Sequence, residues 1–163
     1  MNELKFWEIV GSVHGASGGD MDSKCELIRD TISKLPAHEA NAFAAVFDSK
    51  MDEAYSWPLW GAAYVINGGC SDDAFMDFRA SLISRGRASF ERAIADPDSL
   101  AGDDFDGEAW FYEGYQYAVT NGAKVAFGSV PARATPHPDA PLGQAWDEEE
   151  VYGLYPKLAA KFA

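Results

Sequence analysis

The residues most able to do chemistry in this sequence lie in one short motif, Gly-Gly-Cys-Ser-Asp-Asp at residues 68–73. A cysteine at a helix N-terminus can have a lowered pKa and act as a nucleophile. The motif could therefore be the site of a small enzyme, with Cys70, Asp72 and Arg79 as its catalytic candidates. Against this, the two acids would oppose a thiolate, and no histidine is placed by sequence to serve as a base. The structural alternative is that glycine ends one helix and serine caps the next.

Two carboxylates of the same predicted helix, Asp73 and Asp77, stand one turn apart and could bind a metal ion. A cation would relieve the repulsion between them, and calcium or magnesium would suit their oxygen ligands. The spacing is not that of a calcium-binding loop, however. Arg79 stands two turns after Asp72, so an internal ion pair between these two residues is the competing expectation. We expect no cofactor, because the glycines of residues 15–19 lack the spacing of a phosphate-binding loop.

Aromatic residues suggest a third candidate, a groove for a ligand or a partner protein. Trp57, Trp60 and Tyr64 lie in one apolar segment, and Trp60 and Tyr64 share a helix face. Aromatic side chains are enriched in ligand pockets and at protein interfaces. We place Asp73 and Arg79 beside this groove. Aromatic residues at helical spacing also form ordinary core, which is the alternative.

The charge of the chain limits its partners. Its 26 acidic and 13 basic side chains give a formal charge of −13. Such a field repels nucleic acids and anionic membrane surfaces and favours a basic protein partner. Acids concentrate in residues 96–113 and 147–150, which raises a narrower hypothesis of an acidic antagonist, of the immunity-protein type, that masks a basic partner. Alternatively, the charge only keeps the protein soluble.

Apolar periodicity predicts an all-α fold of one domain over residues 1–163, a bundle of about six to seven helices. The Leu59–Asn67 helix is apolar on every face, which predicts a buried position at the centre. The prolines of residues 130–146 predict an extended connection before the last helix. The other predicted helices are one at the N-terminus that ends before Gly15, Asp20–Leu35, one after Pro36, one after Ser71, a shorter one around Phe90, Glu108–Asn121 with Gly122 as its stop, and Asp147–Phe162 with an interruption near Pro156.

Length and cysteine content indicate where such a protein works. The chain has 163 residues, and no segment approaches the 18 or so apolar residues of a membrane span. Its N-terminus lacks the features of a signal peptide. Two cysteines, Cys25 and Cys70, are too few for a disulfide framework. These features predict a cytoplasmic protein with reduced thiols.

Motifs along much of the chain resemble the bacterial family known as domain of unknown function 4240. The residues that carry the resemblance are Phe6-Trp7, the continuous segment Trp57–Asp73, Phe75, Phe78-Arg79, Leu82-Ile83, Gly86-Arg87, Phe90-Glu91, Asp96–Ala101, Gly143, Trp146 and Pro156-Lys157-Leu158. The resemblance implies no established activity. Some members of the family sit beside a small domain named for a Trp-Gly-Arg motif, in proteins labelled as regulators of molybdate metabolism.

From the sequence we therefore predict a non-enzymatic binding or regulatory module that acts through the aromatic groove or an acidic surface. The alternative is a small enzyme or metal-binding protein with its site at residues 68–73.

Overall fold

A computed structural model describes residues 1–104 and 107–163 and confirms the all-α prediction, with no strand among these residues. Eight α-helices in this part of the chain have seven residues or more, where about six to seven were expected. The elements are α1 (Glu3–Ser17), α2 (Met21–Ser33), α3 (Ala37–Glu53), α4 (Trp57–Asn67), α5 (Asp72–Ser84), α6 (Arg87–Ala95), a 3₁₀ helix (Pro97–Gly102), α7 (Gly107–Trp110), α8 (Tyr115–Phe127), α9 (Val151–Leu154) and α10 (Pro156–Phe162).

Local capping explains where the central helices begin and end. The Ser56 hydroxyl accepts a hydrogen bond from the backbone N–H of Leu59 at 3.2 Å, which caps α4. At the other end of α4, Gly68 adopts the left-handed conformation that favours glycine. Ser71 caps α5 in the same way as Ser56 caps α4, by accepting from the N–H of Ala74 at 3.1 Å. These caps confirm the structural roles predicted for Gly68 and Ser71.

The core forms around α4 and between α2 and α8. Leu59, Ala62 and Ala63 of α4 are completely buried, as predicted for a central helix. The α2–α8 pair packs closely because Gly122 has no side chain: a Cβ there would lie 2.8 Å from the Arg29 backbone oxygen. The predicted stop at Gly122 is therefore wrong. The helix continues to Phe127, and left-handed Gly128 ends it.

Two other helix boundaries differ from the sequence prediction. The first helix extends through Gly15 to Ser17, and left-handed Gly18 provides its cap. The predicted Glu108–Asn121 helix is two helices, α7 and α8, separated by residues 111–114. At this break the Tyr112 ring lies so close to Gly114 that a Cβ there would be 2.8 Å from it. The aromatic residues that predicted one continuous helix therefore include residues 111 and 112, which lie in the turn between two helices.

The chain after α8 runs extended and returns to α4, which confirms the predicted extended connection in residues 130–146. Its Leu142 forms an isolated parallel bridge with Ser56. In this bridge the backbone of Leu142 donates to the Tyr55 oxygen and accepts from the Trp57 N–H, both at 2.8 Å. The predicted last helix begins later than Asp147, as the short α9 followed by α10 from Pro156. In the described ranges, no helix has both the length and the apolar character that crossing a membrane requires.

Candidate functional site

The motif at residues 68–73 connects α4 to α5, and its cysteine is half-buried. Burial is the main cause that raises the pKa of the Cys70 thiol to about 12, and the charge of Asp72 acts in the same direction. The backbone oxygen of Cys70 accepts a hydrogen bond from the Trp60 indole at 2.9 Å. A thiol with this pKa is protonated at neutral pH, which is the opposite of what nucleophilic catalysis requires.

The acidic candidates of α5 occupy two environments. Asp72 and Asp73 are exposed in the first turn, where the helix dipole stabilises negative charge. Asp77 is partly buried and accepts a hydrogen bond from the Gln116 amide at 2.7 Å. Burial raises the pKa of Asp77, and Glu113 and Asp73 raise it further. Among the residues described, no three His, Cys, Asp or Glu side chains are grouped so that they could hold a metal ion.

Arg79 is the most unusual of the predicted site residues. Its side chain lies between the Tyr55 and Phe75 rings, with the guanidinium carbon 4.7 Å and 4.9 Å from their centres. It is only 8% exposed, and burial lowers its pKa. Nη1 donates to the Met51 backbone oxygen at 2.9 Å, whereas Nε is buried with no acceptor. The predicted ion pair with Asp72 is wrong, because no carboxylate of the described residues lies within 4 Å of this guanidinium.

Two adjoining cavities meet at Arg79, and both are lined by Asp52, Met76, Arg79 and His137. We call them together the Arg79 cleft. Their volumes are about 230 and 180 Å³. Helices α3, α5 and α8 contribute to the walls, and the extended segment adds Arg133, His137 and Pro138 to the lining. The first cavity also reaches Tyr55 and Asp72, and the second reaches Gln116 and Arg133.

The extended segment is anchored beside this cleft by Arg133. Its Nη2 donates to Asp52 Oδ2 at 2.5 Å, and its Nη1 lies 3.5 Å from Asp48 Oδ1. Its Nε donates to the Thr135 backbone oxygen at 3.1 Å, which fixes the local bend of the segment. Burial raises the pKa of Asp48, while Arg133 opposes this shift. Two acids one helical turn apart therefore hold one arginine of the chain's own extended segment.

The predicted aromatic groove exists as a cluster, but the chain fills it. Trp57 and Trp60 stack with ring centres 5.4 Å apart, and Trp60 stacks on Phe75 at 5.0 Å. From the C-terminal segment, Trp146 packs edge-on against Trp57 with ring centres 5.8 Å apart, and its ring is tilted against Tyr64 at 5.1 Å. The Trp146 indole also donates to the Trp57 backbone oxygen at 2.7 Å. We call these five rings the aromatic cluster.

The predicted groove residues therefore divide between two places. Trp57, Trp60 and Tyr64 lie in the aromatic cluster, and Arg79 lies in the cleft that bears its name. Asp73 is exposed and lines neither the cleft nor the cavity of about 410 Å³ beside Trp146.

Reasoning from the sequence missed Asp48, Asp52, Gln116, Arg133 and His137 as cleft residues. One signal was available: Asp48 and Asp52 have the same one-turn spacing as Asp73 and Asp77. Nothing in the sequence distinguishes the two pairs, because only the fold brings Arg133 to one of them.

The acidic stretches also have structural partners. Asp98 accepts hydrogen bonds from the backbone N–H groups of Lys157 and Leu158 at 3.2 and 2.9 Å, which caps α10. Asp103 pairs with Arg92 at 2.6 Å. Asp106, another acid of this stretch, lies outside the described residues. Residues 147–150 are exposed.

Comparisons with known proteins extend the resemblance seen in the sequence. Neither the curated proteins nor the solved structures include a match to the chain. A family model described as "Protein of unknown function (DUF4240)" matches residues 1–123. The match includes α1 to α6 and most of α8, and it stops before Arg133, His137 and Trp146. Since the matched residues make up most of the 163-residue chain, the chain belongs to the DUF4240 family.

Proposed function

We propose that this chain is a non-enzymatic binding module that holds a basic, extended segment of a partner protein at Asp48 and Asp52. The observation that carries the proposal is that the Arg133 guanidinium forms ion pairs with both of these carboxylates. In this proposal the chain's own segment 130–138 occupies the site until a partner displaces it. The raised pKa of Cys70 supports the choice of a non-enzymatic role.

The chemistry of the site favours arginine in an extended peptide. Two carboxylates one turn apart repel each other, and a guanidinium relieves this repulsion while it forms charge-assisted hydrogen bonds. Proline-rich segments are extended before they bind, so little conformational entropy is lost on docking. The segment that lies here contains Pro131, Pro136 and Pro138 around its arginine. An extended, arginine-containing segment of a partner protein would therefore bind at the same two carboxylates.

The overall charge supports a basic partner, and the free thiols support a reducing compartment. A formal charge of −13 attracts basic partners and opposes nucleic acid and anionic membranes. Cys25 and Cys70 are both free, which fits a reducing compartment such as a bacterial cytoplasm. The basic partner and the cytoplasmic location are parts of the same proposal.

The experiment uses a labelled peptide with the sequence of residues 129–142 as the probe. We expect this peptide to bind the full-length Arg133→Ala variant, because the variant's own segment no longer competes with full strength. Binding to the wild-type chain should be weaker. Replacing Asp48 and Asp52 by Asn in the Arg133→Ala background should abolish binding. Fluorescence polarisation measures all three affinities.

Arg87→Ala is the matched control, because Arg87 is exposed and pairs with Glu91 away from the cleft. It removes the same charge and should leave peptide binding at the wild-type level. A peptide with alanine in place of its arginine should not bind. The proposal fails if the alanine peptide binds as well as the original, or if Arg87→Ala improves binding as much as Arg133→Ala.

The exposed acids of residues 147–150 favour a narrower version, in which the module is an antagonist that masks a basic surface of a toxin or a nucleic-acid-binding protein. Association with such a partner would be steered electrostatically and would slow steeply with added salt. Changing Glu148, Glu149 and Glu150 to Gln should slow association with a partner captured from the native host. An association rate that ignores both salt and this triple change would eliminate the antagonist version.

A further inference from the structure

The guanidinium of Arg79 has one edge that nothing in the described structure occupies. Nη1 donates to the Met51 backbone oxygen, Nε is buried with no acceptor, and no hydrogen bond from Nη2 is formed among the described residues. The N–H bonds of Nε and Nη2 point in the same direction from the planar group, and this parallel pair is the arrangement that accepts the two oxygens of a carboxylate. The unoccupied edge is therefore a complete bidentate donor.

Leaving such a group buried without a partner costs stability, so folded proteins rarely do it without a reason. On the α8 wall of the same cleft, Gln116 is also only 8% exposed, and its Oε1 is buried with no donor. Two unsatisfied side chains of complementary polarity thus line one cavity. This combination points to a polar ligand and not to a filled core.

The surrounding charges decide which polar ligand fits. Asp72 and Asp52 are the carboxylates that act on the Arg79 charge, and both line the first cavity. A ligand with only negative charge would be repelled by these acids and by the net charge of the chain. A ligand that also carries an ammonium group would place it beside them. The Tyr55 and Met76 side chains add apolar surface to the lining of this cavity.

We propose that the Arg79 cleft binds a small zwitterion of the α-amino acid class, with its carboxylate on the Nε and Nη2 edge of Arg79 and its ammonium toward Asp72 and Asp52. The cavity volumes of about 230 and 180 Å³ far exceed the 10–15 Å³ or so that one water needs. The contacts with Arg79 and Asp72 do not involve Arg133, and only Asp52 is shared with the Arg133 contact on which the proposed function rests.

The test titrates the full-length wild-type chain with a panel of L-α-amino acids and follows it by NMR. Acetate, methylammonium and inorganic phosphate serve as single-charge probes at the same millimolar concentrations. At least one amino acid should shift the signals of the Arg79 Nε–H and the Gln116 side-chain amide in a saturable way, while the single-charge probes shift them much less. Equal binding of acetate or phosphate would overturn the zwitterion assignment, as would no saturable shift with any amino acid.

Two neighbouring acids provide the matched variants. Asp72 and Asp73 are both exposed in the first turn of α5, but only Asp72 lines the cleft. Asp72→Asn should weaken amino acid binding about tenfold, and Asp73→Asn should leave it unchanged. Equal effects of the two variants would contradict the site.

Arg79→Lys keeps the charge but loses the parallel donors, so it should also weaken binding about tenfold. If this variant does not melt cooperatively, the Asp72 and Asp73 pair still decides the question. Amino acid binding should persist in Arg133→Ala. If the peptide does not bind but amino acids do, only the proposed function is overturned. If the peptide binds but amino acids do not, only this inference is overturned.

Discussion

The aromatic cluster and the Arg79 cleft adjoin at Phe75, which stacks on Trp60 and contacts the Arg79 guanidinium, yet the polar atoms of the two regions are partnered in opposite ways. In the cluster, each indole N–H of Trp60 and Trp146 donates to a backbone oxygen. The nearby Tyr155 hydroxyl donates to the Pro58 oxygen at 2.5 Å. In the cleft, Arg79 Nε and Gln116 Oε1 have no partner. The named donors of the cluster are therefore paired within the chain, whereas the cleft keeps buried polar atoms without a partner.

This difference shows that residue type alone does not distinguish a binding surface from a core. Tryptophan is common in grooves and in cores, and here the chain supplies its own Trp146 to cover Trp57 and Tyr64. A buried arginine without a carboxylate is much less common in a core. The predictions that follow test whether the cluster maintains the fold while the cleft does not.

The largest effect should come from Trp60→Ala in the aromatic cluster. This change removes stacking with Trp57 and Phe75 and the hydrogen bond to Cys70, so we expect a loss of about 3–5 kcal/mol in the free energy of unfolding. Denaturant unfolding followed by circular dichroism measures it. A variant that unfolds like the parent would show that Trp60 is available for binding.

An intermediate effect should come from the helix that carries Gln116 into the cleft. Gly122→Ala would push a Cβ against the Arg29 backbone, which cannot move aside as a side chain can, so we expect destabilisation of about 1–3 kcal/mol. Gly11→Ala is the matched control, because no atom outside its own helix lies within 4 Å of that Cβ. The control should stabilise by about 0.5–1 kcal/mol. Thermal unfolding compares the two, and a neutral Gly122→Ala would mean that α2 and α8 can separate.

A smaller effect should come from Arg79→Met in the cleft. The variant loses the hydrogen bond to Met51 but also removes a buried charge that has no ion pair. These contributions oppose each other, so the free energy of unfolding should change by less than about 1.5 kcal/mol. Denaturant unfolding at neutral pH measures the change. A loss as large as that of Trp60→Ala would mean that Arg79 belongs to the fold and not to a site.

The smallest change should be the chemical modification of Cys70. Its folded pKa of about 12 lies above the ordinary 9.0, so the reactive thiolate is scarce at neutral pH. Iodoacetamide should therefore label Cys70 much more slowly in the native chain than in the chain unfolded by denaturant. Mass spectrometry identifies the labelled site. Native labelling as fast as in denaturant would restore Cys70 as a candidate nucleophile.

Local signals in the sequence predicted the helical class, the glycine end of α4 and the Ser71 cap of α5, because serine caps and left-handed glycines act over a few residues. The same kind of reasoning failed at Gly122, where the glycine permits close packing with α2 and does not end a helix. It also failed at the break between α7 and α8, because the number of aromatic residues in a segment does not reveal whether they share one face of a continuous helix.

The candidate sites depended on contacts between distant parts of the chain. Asp48 and Asp52 precede Arg133 by some 80 residues, and Trp57 precedes its partner Trp146 by 89. The expected pairing of Asp72 with Arg79 followed helix geometry, but Arg79 turns toward α3 instead and bonds to Met51. Periodicity specifies which face a residue occupies, and it does not specify which distant segment covers that face.

The C-terminal helices have a consequence for the integrity of the molecule. Val151 and Leu158 are completely buried, and the Tyr155 ring occupies the space that a side chain at residue 61 would need. Residues 134–140, by contrast, are all exposed. A single proteolytic cut in that stretch would therefore leave two fragments that share one core, and we expect them to remain associated as a nicked protein. Removing the C-terminal fragment by denaturation and adding it back would then test whether the core reassembles from two chains.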